Sequence, residues 1–409
     1  MAERTDIIVA GGGIGGLACT LALAQAGCSV RVLERAPEFR EVGAGIQMAP
    51  NAGRALMDLG VFDQVMAQGY CPPKLAFMHA VTGEALTTIP FDDGFIARYG
   101  APWVTLHRND LLQILQSACL AHANVELLTG KTVTAIESGD EVARAACEDG
   151  SSYEGYGLIV ADGVASRLRR EFCDDEPVTS GYVDFRAIMP WSNVVGQETS
   201  GDVMAWVGPA LHAMQYPVRR GEVYNQLAGI LSRPFRAGDS VWGTAEEFAE
   251  RFEIVCPALR SALPNLLASN ARYELRDRAP APSWLKGRML MLGDAAHPMM
   301  PFFGQGGCQA LEDAQALSAV VRHYRKGAAR DWAPRALAAV EAIRRPRASR
   351  LQTESRLFGD VWHFEGMAGV VRDELFKRVP PGDFTYTDRL YLPGFQGEAT
   401  PESWLTENG

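Results

Sequence analysis

The stretch that most limits what this chain can become is DIIVAGGGIGGLACTLALAQAGCSVRVLERA, residues 6–36. An apolar run, Ile7 to Ala10, predicts a buried strand that breaks at Gly11-x-Gly13-x-x-Gly16. A helix of small and apolar residues follows and ends at Gly27; a second strand, Ser29 to Leu33, closes on Glu34 and Arg35. Each glycine has its own reason. Gly11 permits the tight turn, Gly13 lets the backbone approach a pyrophosphate, and Gly16 lets helix and strand pack closely. The unpaired N–H groups at the helix start, around Ile14 and Gly15, together with the helix dipole, favour a phosphate there. Glu34 sits where a carboxylate accepts both hydroxyls of a ribose. Strand, glycines, helix, second strand and acid are all in register, so the unit predicts a dinucleotide site. An acid at that place suits FAD or NAD and disfavours NADP.

A second motif chooses between those two. GRMLMLGDAAHPMMPFFGQGGCQALEDAQALSAVVRHYRKG, residues 287–327, again opens on an apolar strand, Met289 to Leu292. It passes Gly293-Asp294 and a Pro-rich loop and enters a helix through Gly304-Gln305-Gly306-Gly307, with Cys308, Leu311, Ala314, Leu317 and Val321 at helical spacing. An NAD dehydrogenase has no use for a second cofactor contact so far along the chain. The longer FAD has one: Asp294 can hold ribityl hydroxyls, while the glycine-rich helix start faces the flavin pyrimidine and stabilises negative charge on the reduced ring. The plainer reading of Asp294, a cap on the AAHP turn, leaves the glycines unexplained.

The remaining composition narrows the classes. With 409 residues, 47% hydrophobic, the chain suits a globular protein of about two domains. A net charge of −10 argues against a nucleic-acid binder. No apolar run is long enough to span a bilayer, and MAERTD lacks the pattern of a signal peptide, so a cytoplasmic protein is expected. The eight cysteines are scattered with no C-x-x-C pair, which suggests neither a zinc site nor disulfides. With one dinucleotide fingerprint and no redox cysteine pair, a pyridine-nucleotide disulfide reductase is disfavoured. IRRPRASR, residues 343–350, is basic only locally and reads as a packing helix or a solvated face. The tail from about Pro380 is rich in Pro, Gly and Thr and is expected to be partly extended.

Five segments together resemble the single-component FAD-dependent aromatic hydroxylases, the group that includes salicylate, 3-hydroxybenzoate and 6-hydroxynicotinate hydroxylases. They are GGGIGG with Glu34-Arg35, EVGAGIQMAPNA (41–52), HRNDLL (107–112), ADGVASRLRR (161–170) and GDAAHPMMPFFGQGGCQALEDA (293–314). The resemblance covers nearly the whole chain. It implies that Gly45 to Gln47 flank the flavin and that Arg108 contacts the FAD phosphates or ribityl chain. It places Asp162-Gly163 near the pyrophosphate, where they also serve NAD(P)H. Arg169 is evenly balanced between cofactor and structural roles. One departure stands out: Val160 occupies the place of the usual first glycine in G-A-D-G, which predicts a wider backbone turn. NADH is the expected reductant, with NADPH second.

Between the two FAD motifs, residues 180–276 alternate in the manner of antiparallel strands with turns at Gly181, Pro209 and Arg219-Arg220-Gly221. The expected fold is therefore α/β: a Rossmann-like FAD-binding domain (1–71, 105–178 and 277–360) interleaved with a mixed or antiparallel-sheet substrate domain (72–104 and 179–276), then a C-terminal extension (361–409). Residues 72–104 are expected to be a loop. In LHAMQYPV, the alternation of His212, Met214 and Tyr216 ahead of Pro217 predicts a strand with both polar rings on one face, roughly 13 Å apart at ~3.3 Å per residue. Hydroxylases close to this sequence carry a similar His-x-x-x-Tyr. His212 and Tyr216 are accordingly expected to hold and deprotonate a phenolic oxygen, with Met214, His79, Trp103 and Phe302 as pocket walls and Pro301 shaping the loop beside flavin C4a.

The reaction implied is reduction of FAD by NADH, formation of a C4a-hydroperoxide with O2, and attack on a ring carbon ortho or para to a phenol, with an aromatic carboxylic acid as the expected substrate. An FAD oxidase or dehydrogenase of a small molecule is the alternative, and a non-catalytic flavoprotein a third reading. The aromatic and aliphatic content of residues 362–395 predicts a homodimer.

Overall fold

The computed structural model describes residues 4–40, 45–194, 201–269, 271–327, 331–380 and 382–408. The first four residues of EVGAGIQMAPNA and Met1 to Glu3 lie outside them. Among the described residues the strands are β1 Thr5–Ala10, β2 Val30–Leu33, β3 Gly45–Met48, β4 Lys74–His79, β5 Ala85–Pro90, β6 Val104–His107, β7 Val125–Leu128, β8 Val133–Ser138, β9 Ala143–Cys147, β10 Ser152–Val160, β11 Val178–Pro190, β12 Val203–Gly208, β13 Leu211–Val218, β14 Val223–Leu231, β15 Ala271–Asp277, β16 Leu285–Lys286 and β17 Met289–Met291.

The first sheet has the order β16-β17-β10-β1-β2-β7, with β17, β10, β1, β2 and β7 mutually parallel; β8 and β9 form a flap on β10. Parallel strands covered on both faces read as unbroken apolar runs. Ile7, Ile8, Val9, Leu158, Ile159, Val160, Leu290 and Met291 accordingly have no exposed surface. β10 and β17 lie side by side next to β1, so the two motifs, some 280 residues apart, end at one edge. Val160 does not widen the turn. It pairs regularly with Ala10 and Met291, and the chain bends only after it. Gly11, at φ +113°, has the restriction instead: a Cβ there would lie 2.3 Å from the Ala161 carbonyl oxygen.

The second sheet runs β15-β11-β14-β13-β12-β4-β5, and β12 and β4 pair in parallel. Its outer face packs Val183, Phe185, Trp206, Leu211 and Ala213 against Phe248, Phe252, Leu259 and Leu266 of short helices in 245–268. Its inner face turns toward the FAD domain. Three expectations are corrected here. Gly181 is no turn; it lies within β11 at φ +79°, where the pairing with β15 shifts register. Residues 72–104 are no loop, since they hold β4, β5 and the helix Asp93–Tyr99. The tail folds into helices Thr385–Tyr391 and Pro401–Asn408.

IRRPRASR lies within the long helix Trp332–Trp362, and its inward arginines are buried. Arg344 donates to Asp313 at 2.8 Å and to Glu312 at 2.6 Å. Arg347 donates to Glu312 at 2.8 Å and to Glu398 at 2.9 Å, which ties the C-terminal segment to the flavin-side helix Gly306–Tyr324. Burial raises the Glu312 carboxyl, but the two guanidiniums overrule it and hold the group well below the usual carboxylate range.

Candidate active site

The cofactor side is built where the strands of the first sheet end. The helix Ile14–Gln25 starts at Gly13, whose φ of −73° any residue can adopt. Gly16 packs onto Gly11 so closely that a Cβ would fall 2.1 Å from its carbonyl oxygen. Gly15 faces Ala310 and Gly293, so the two glycine-rich motifs meet through contacts only small residues permit. Glu34 accepts from the N–H groups of Gly12 at 2.6 Å and Ala36 at 2.8 Å, while Arg35 is exposed. Asp294 lies against the helix start, 3.6 Å from where a Cβ of Gly306 would stand. A Cβ on Gly304, at φ +63°, would stand 3.6 Å from the Gln47 Oε1 atom, and one on Gly307 would touch Ile46. Gly45 pairs with His107, the residue before Arg108, and donates its N–H to Asn225 at 2.8 Å.

These residues fit FAD, and one observation tests that fit. Burial raises the Asp162 carboxyl against hydrogen bonds from Ser166 and from the N–H groups of Arg167 and Leu168, and its Oδ1 atom is buried with no hydrogen-bond partner. An orphaned acceptor at the end of a Rossmann strand is what a bound nucleotide's donors would satisfy.

Arg169 takes the structural role. Its buried guanidinium donates to the carbonyls of Ala295 and Ala296 at 2.8 and 2.7 Å and pairs with Asp175. His297 faces Asp313 at 2.7 Å, and the Gly293 N–H donates to Asp313 at 2.9 Å. The Gly293–Pro298 loop is thereby pinned from both sides.

On the substrate side, strand register lays out a grid. Asp184, Gly229 and His212 form one row; Arg186, Leu227 and Met214 the next; Ile188, Asn225 and Tyr216 the third. His212, Met214 and Tyr216 share the inner face, as the alternation predicts. The polar rings do not open onto free space, however: both are almost wholly buried. His212 is 2% exposed, with Nε2 at 3.1 Å from Asp184 and Nδ1 at 2.9 Å from His363 Nε2. Gly229 makes that pair possible, since a Cβ there would collide with both Asp184 and His212. Burial raises Asp184, but His212 and Arg186 overrule it and bring the carboxyl below its ordinary value. Burial, with His212 adding to it, pushes His363 well below the ordinary histidine value. Tyr216 packs edgewise on Gly45 and bonds the Gln47 side chain; burial pushes its hydroxyl up to about 12.

The open volume lies one row over. A cavity of about 570 Å³ is lined by Gln47, Gly304 and Phe302 at the cofactor end, and by Met214, Phe77 and Trp103 beyond them. Met214, Trp103 and Phe302 are thus brought together as pocket walls. Pro301 starts the short turn Pro301–Phe303 beside them. His79 is not a wall. Its Nδ1 accepts from Val81 and Thr82 in the turn to β5, and its Nε2 faces Asp373 at 3.4 Å. The residues missed were Asp184, Gly229, His363 and the Glu312-Asp313 pair. Asp184 carries the one readable signal, a charge at an inward position of an apolar alternation.

The fold and the site define a flavoprotein with one FAD fold and a separate chamber at its flavin edge. Residues 4–355 match the FAD binding domain family. The 3-hydroxybenzoate 6-hydroxylase of Polaromonas naphthalenivorans (strain CJ2) is 34% identical over 386 residues, covering 94% of this chain and 95% of that protein. The 6-hydroxynicotinate 3-monooxygenase of Bordetella bronchiseptica (strain ATCC BAA-588 / NCTC 13252 / RB50) is 34% identical over 87% of this chain and 91% of its own. Among solved structures, Klebsiella pneumoniae HpxO complexed with FAD and uric acid superposes with a TM-score of 0.81 at 24% identity, covering 99% and 98% of the two chains. The chain belongs to the FAD binding domain family, and it is an FAD-dependent aromatic-ring hydroxylase.

Proposed function

We propose that the chain uses NADH, with NADPH as the lesser reductant, to hydroxylate a phenolic ring ortho or para to its hydroxyl. The observation that supports this most is the meeting of the FAD-binding residues with an apolar chamber at Gln47 and Gly304. Bound FAD would take a hydride from the reductant and activate O2 for transfer to the ring. The chain's own residues orient, exclude water and hold protons. Phe302, Met214 and Trp103 keep the ring in dry surroundings. The Tyr216 hydroxyl stays protonated near neutrality, so it acts through a hydrogen bond: it fixes the Gln47 side chain, which reaches the chamber. His212, held by Asp184 and His363, touches Phe302 edgewise at 5.3 Å between ring centres and sets that wall.

Both polar rings are therefore positioning residues, and their test is coupling rather than folding. Tyr216→Phe should keep FAD and the fold. Hydroxylated product per NADH consumed should fall roughly tenfold as H2O2 release rises, the size expected when the hydrogen bond that fixes Gln47 is lost. Wild-type coupling in both Tyr216→Phe and His212→Phe would return the pair to core packing.

The assembly reading is a homodimer. The helix Gly366–Lys377 exposes Met367 (77%), Val370 and Val371, with Phe364 just before it, an apolar face that a second copy would cover. Light scattering at twice the chain mass is expected, and monomer mass across a concentration series would refute it. Among the described residues no helix is long and apolar enough to cross a membrane, and the eight cysteines are unpaired, which suits a reducing cytoplasm.

A further inference from the structure

The cavity is larger than one ring, and its lining offers an acid no free cation. A cavity of about 150 Å³ is enough to hold benzene; this one measures about 570 Å³ without the flavin, whose edge would enter at Gln47 and Gly304, and most of its lining lies beyond those two residues. From Gln47 and Gly304 it runs over the inner face of β4 and β5, where Leu75 pairs with Ile89 and Phe77 with Thr87, and ends under the C-terminal helices. Phe77 packs edge-on against Phe376 at 5.4 Å and Trp362 at 5.7 Å, so the far wall is aromatic. The charged lining residues are Glu354, Asp383 and Arg389. The Arg389 guanidinium donates to Glu354 and lies over the Phe395 ring at 5.4 Å. Glu354 is held by Arg350 as well as by Arg389, and Asp383 is exposed, so among the lining residues no cation is free to receive an acid. A carboxylate entering there would lose its hydration without a cation to replace it.

We propose that the substrate is a neutral phenol bearing an apolar arm at least as large as the ring, not a hydroxybenzoate. The inference rests on the phenol-hydroxylating reading above and adds the substrate class. The phenolic ring lies at the Gln47 end, and the arm lies along Leu75, Phe77 and Ile89.

The test uses the FAD-loaded enzyme and reads binding directly, as the change in flavin absorbance on titration with 3-alkylphenols from methyl to pentyl and with 3-hydroxybenzoate. Burial of each methylene contributes about 0.8 kcal/mol, so Kd should fall about threefold to fourfold per carbon. 3-Hydroxybenzoate should bind at least tenfold more weakly than 3-pentylphenol. Thr87→Lys places a cation on the edge strand β5, where lysine is well tolerated. It should tighten 3-hydroxybenzoate at least tenfold and weaken the long alkylphenols. A flat alkyl series, or 3-hydroxybenzoate binding more tightly than every alkylphenol, would overturn the proposal. Ligands that bind with the expected slope yet leave NADH oxidation unstimulated would instead sink the hydroxylation reading and leave the cavity assignment standing.

Discussion

Gly13→Val should yield a folded, colourless protein. The backbone at Gly13 has φ −73° and ψ −177°, which valine adopts without strain, so the substitution leaves the strand, turn and helix intact. It places two methyl groups where the helix start must approach a pyrophosphate, and the loss of FAD should be essentially complete. The neighbouring glycines serve as contrast. Gly11→Val and Gly16→Val each drive a Cβ onto a backbone carbonyl within 2.3 Å and should fail at folding, before any cofactor is involved. Asp294→Ala removes one contact of several and should weaken retention only partly. Flavin absorbance of the purified, dialysed variants beside their circular dichroism separates these cases. A folded Gly13→Val protein that remains yellow would remove the pyrophosphate from this turn.

Arg344→Met should cost about 3–5 kcal/mol of stability, because it strips a cation from carboxylates that stay buried. Arg344 holds Asp313 and Glu312 at once, and both acids are almost wholly removed from solvent. Methionine fills much the same space but leaves Asp313 with only His297 and the Gly293 N–H. The control is Arg170→Met, whose ion pair with Glu176 is largely solvated on both sides; that loss should stay below about 1 kcal/mol. Urea unfolding of the two variants in one buffer gives the comparison. Equal midpoints would mean that the buried network contributes no more than a surface pair.

How far the sequence could be read depended on the range of the interaction. The FAD fold was legible because its signals are local: an apolar strand, three glycines and an acid keep their meaning in any context. The strand Leu211–Val218 was legible for the same reason, since alternation of period two is a local property. Which groups its rings would touch was not. Asp184 reaches His212 only because Gly229 stands between them on the intervening strand, and His363 arrives from a helix 151 residues away. His79 was expected as a pocket wall on a loop, and the structure puts it at the end of β4. Its ring turns instead to cap the adjoining turn, a choice set by two backbone N–H groups that alternation cannot show. The basic run 343–350 was ambiguous alone. Its meaning lies in Glu312 and Asp313, acids that sit on the flavin-side helix in a stretch otherwise read for its apolar spacing.

The separation of the two FAD motifs along the chain sets a timetable for biosynthesis. β1, with the pyrophosphate turn, leaves the ribosome first, yet its neighbour β10 is completed only at Val160 and β17 only at Met291. Until then the nascent sheet presents an open parallel edge of apolar strand, the kind of surface that chaperones cover and that other chains can mispair with. The arginines that neutralise Glu312 and Asp313 emerge later still. Flavin capture is thus a late event of synthesis, and a ribosome stalled before Met291 would carry a nascent chain whose FAD site lacks its second motif.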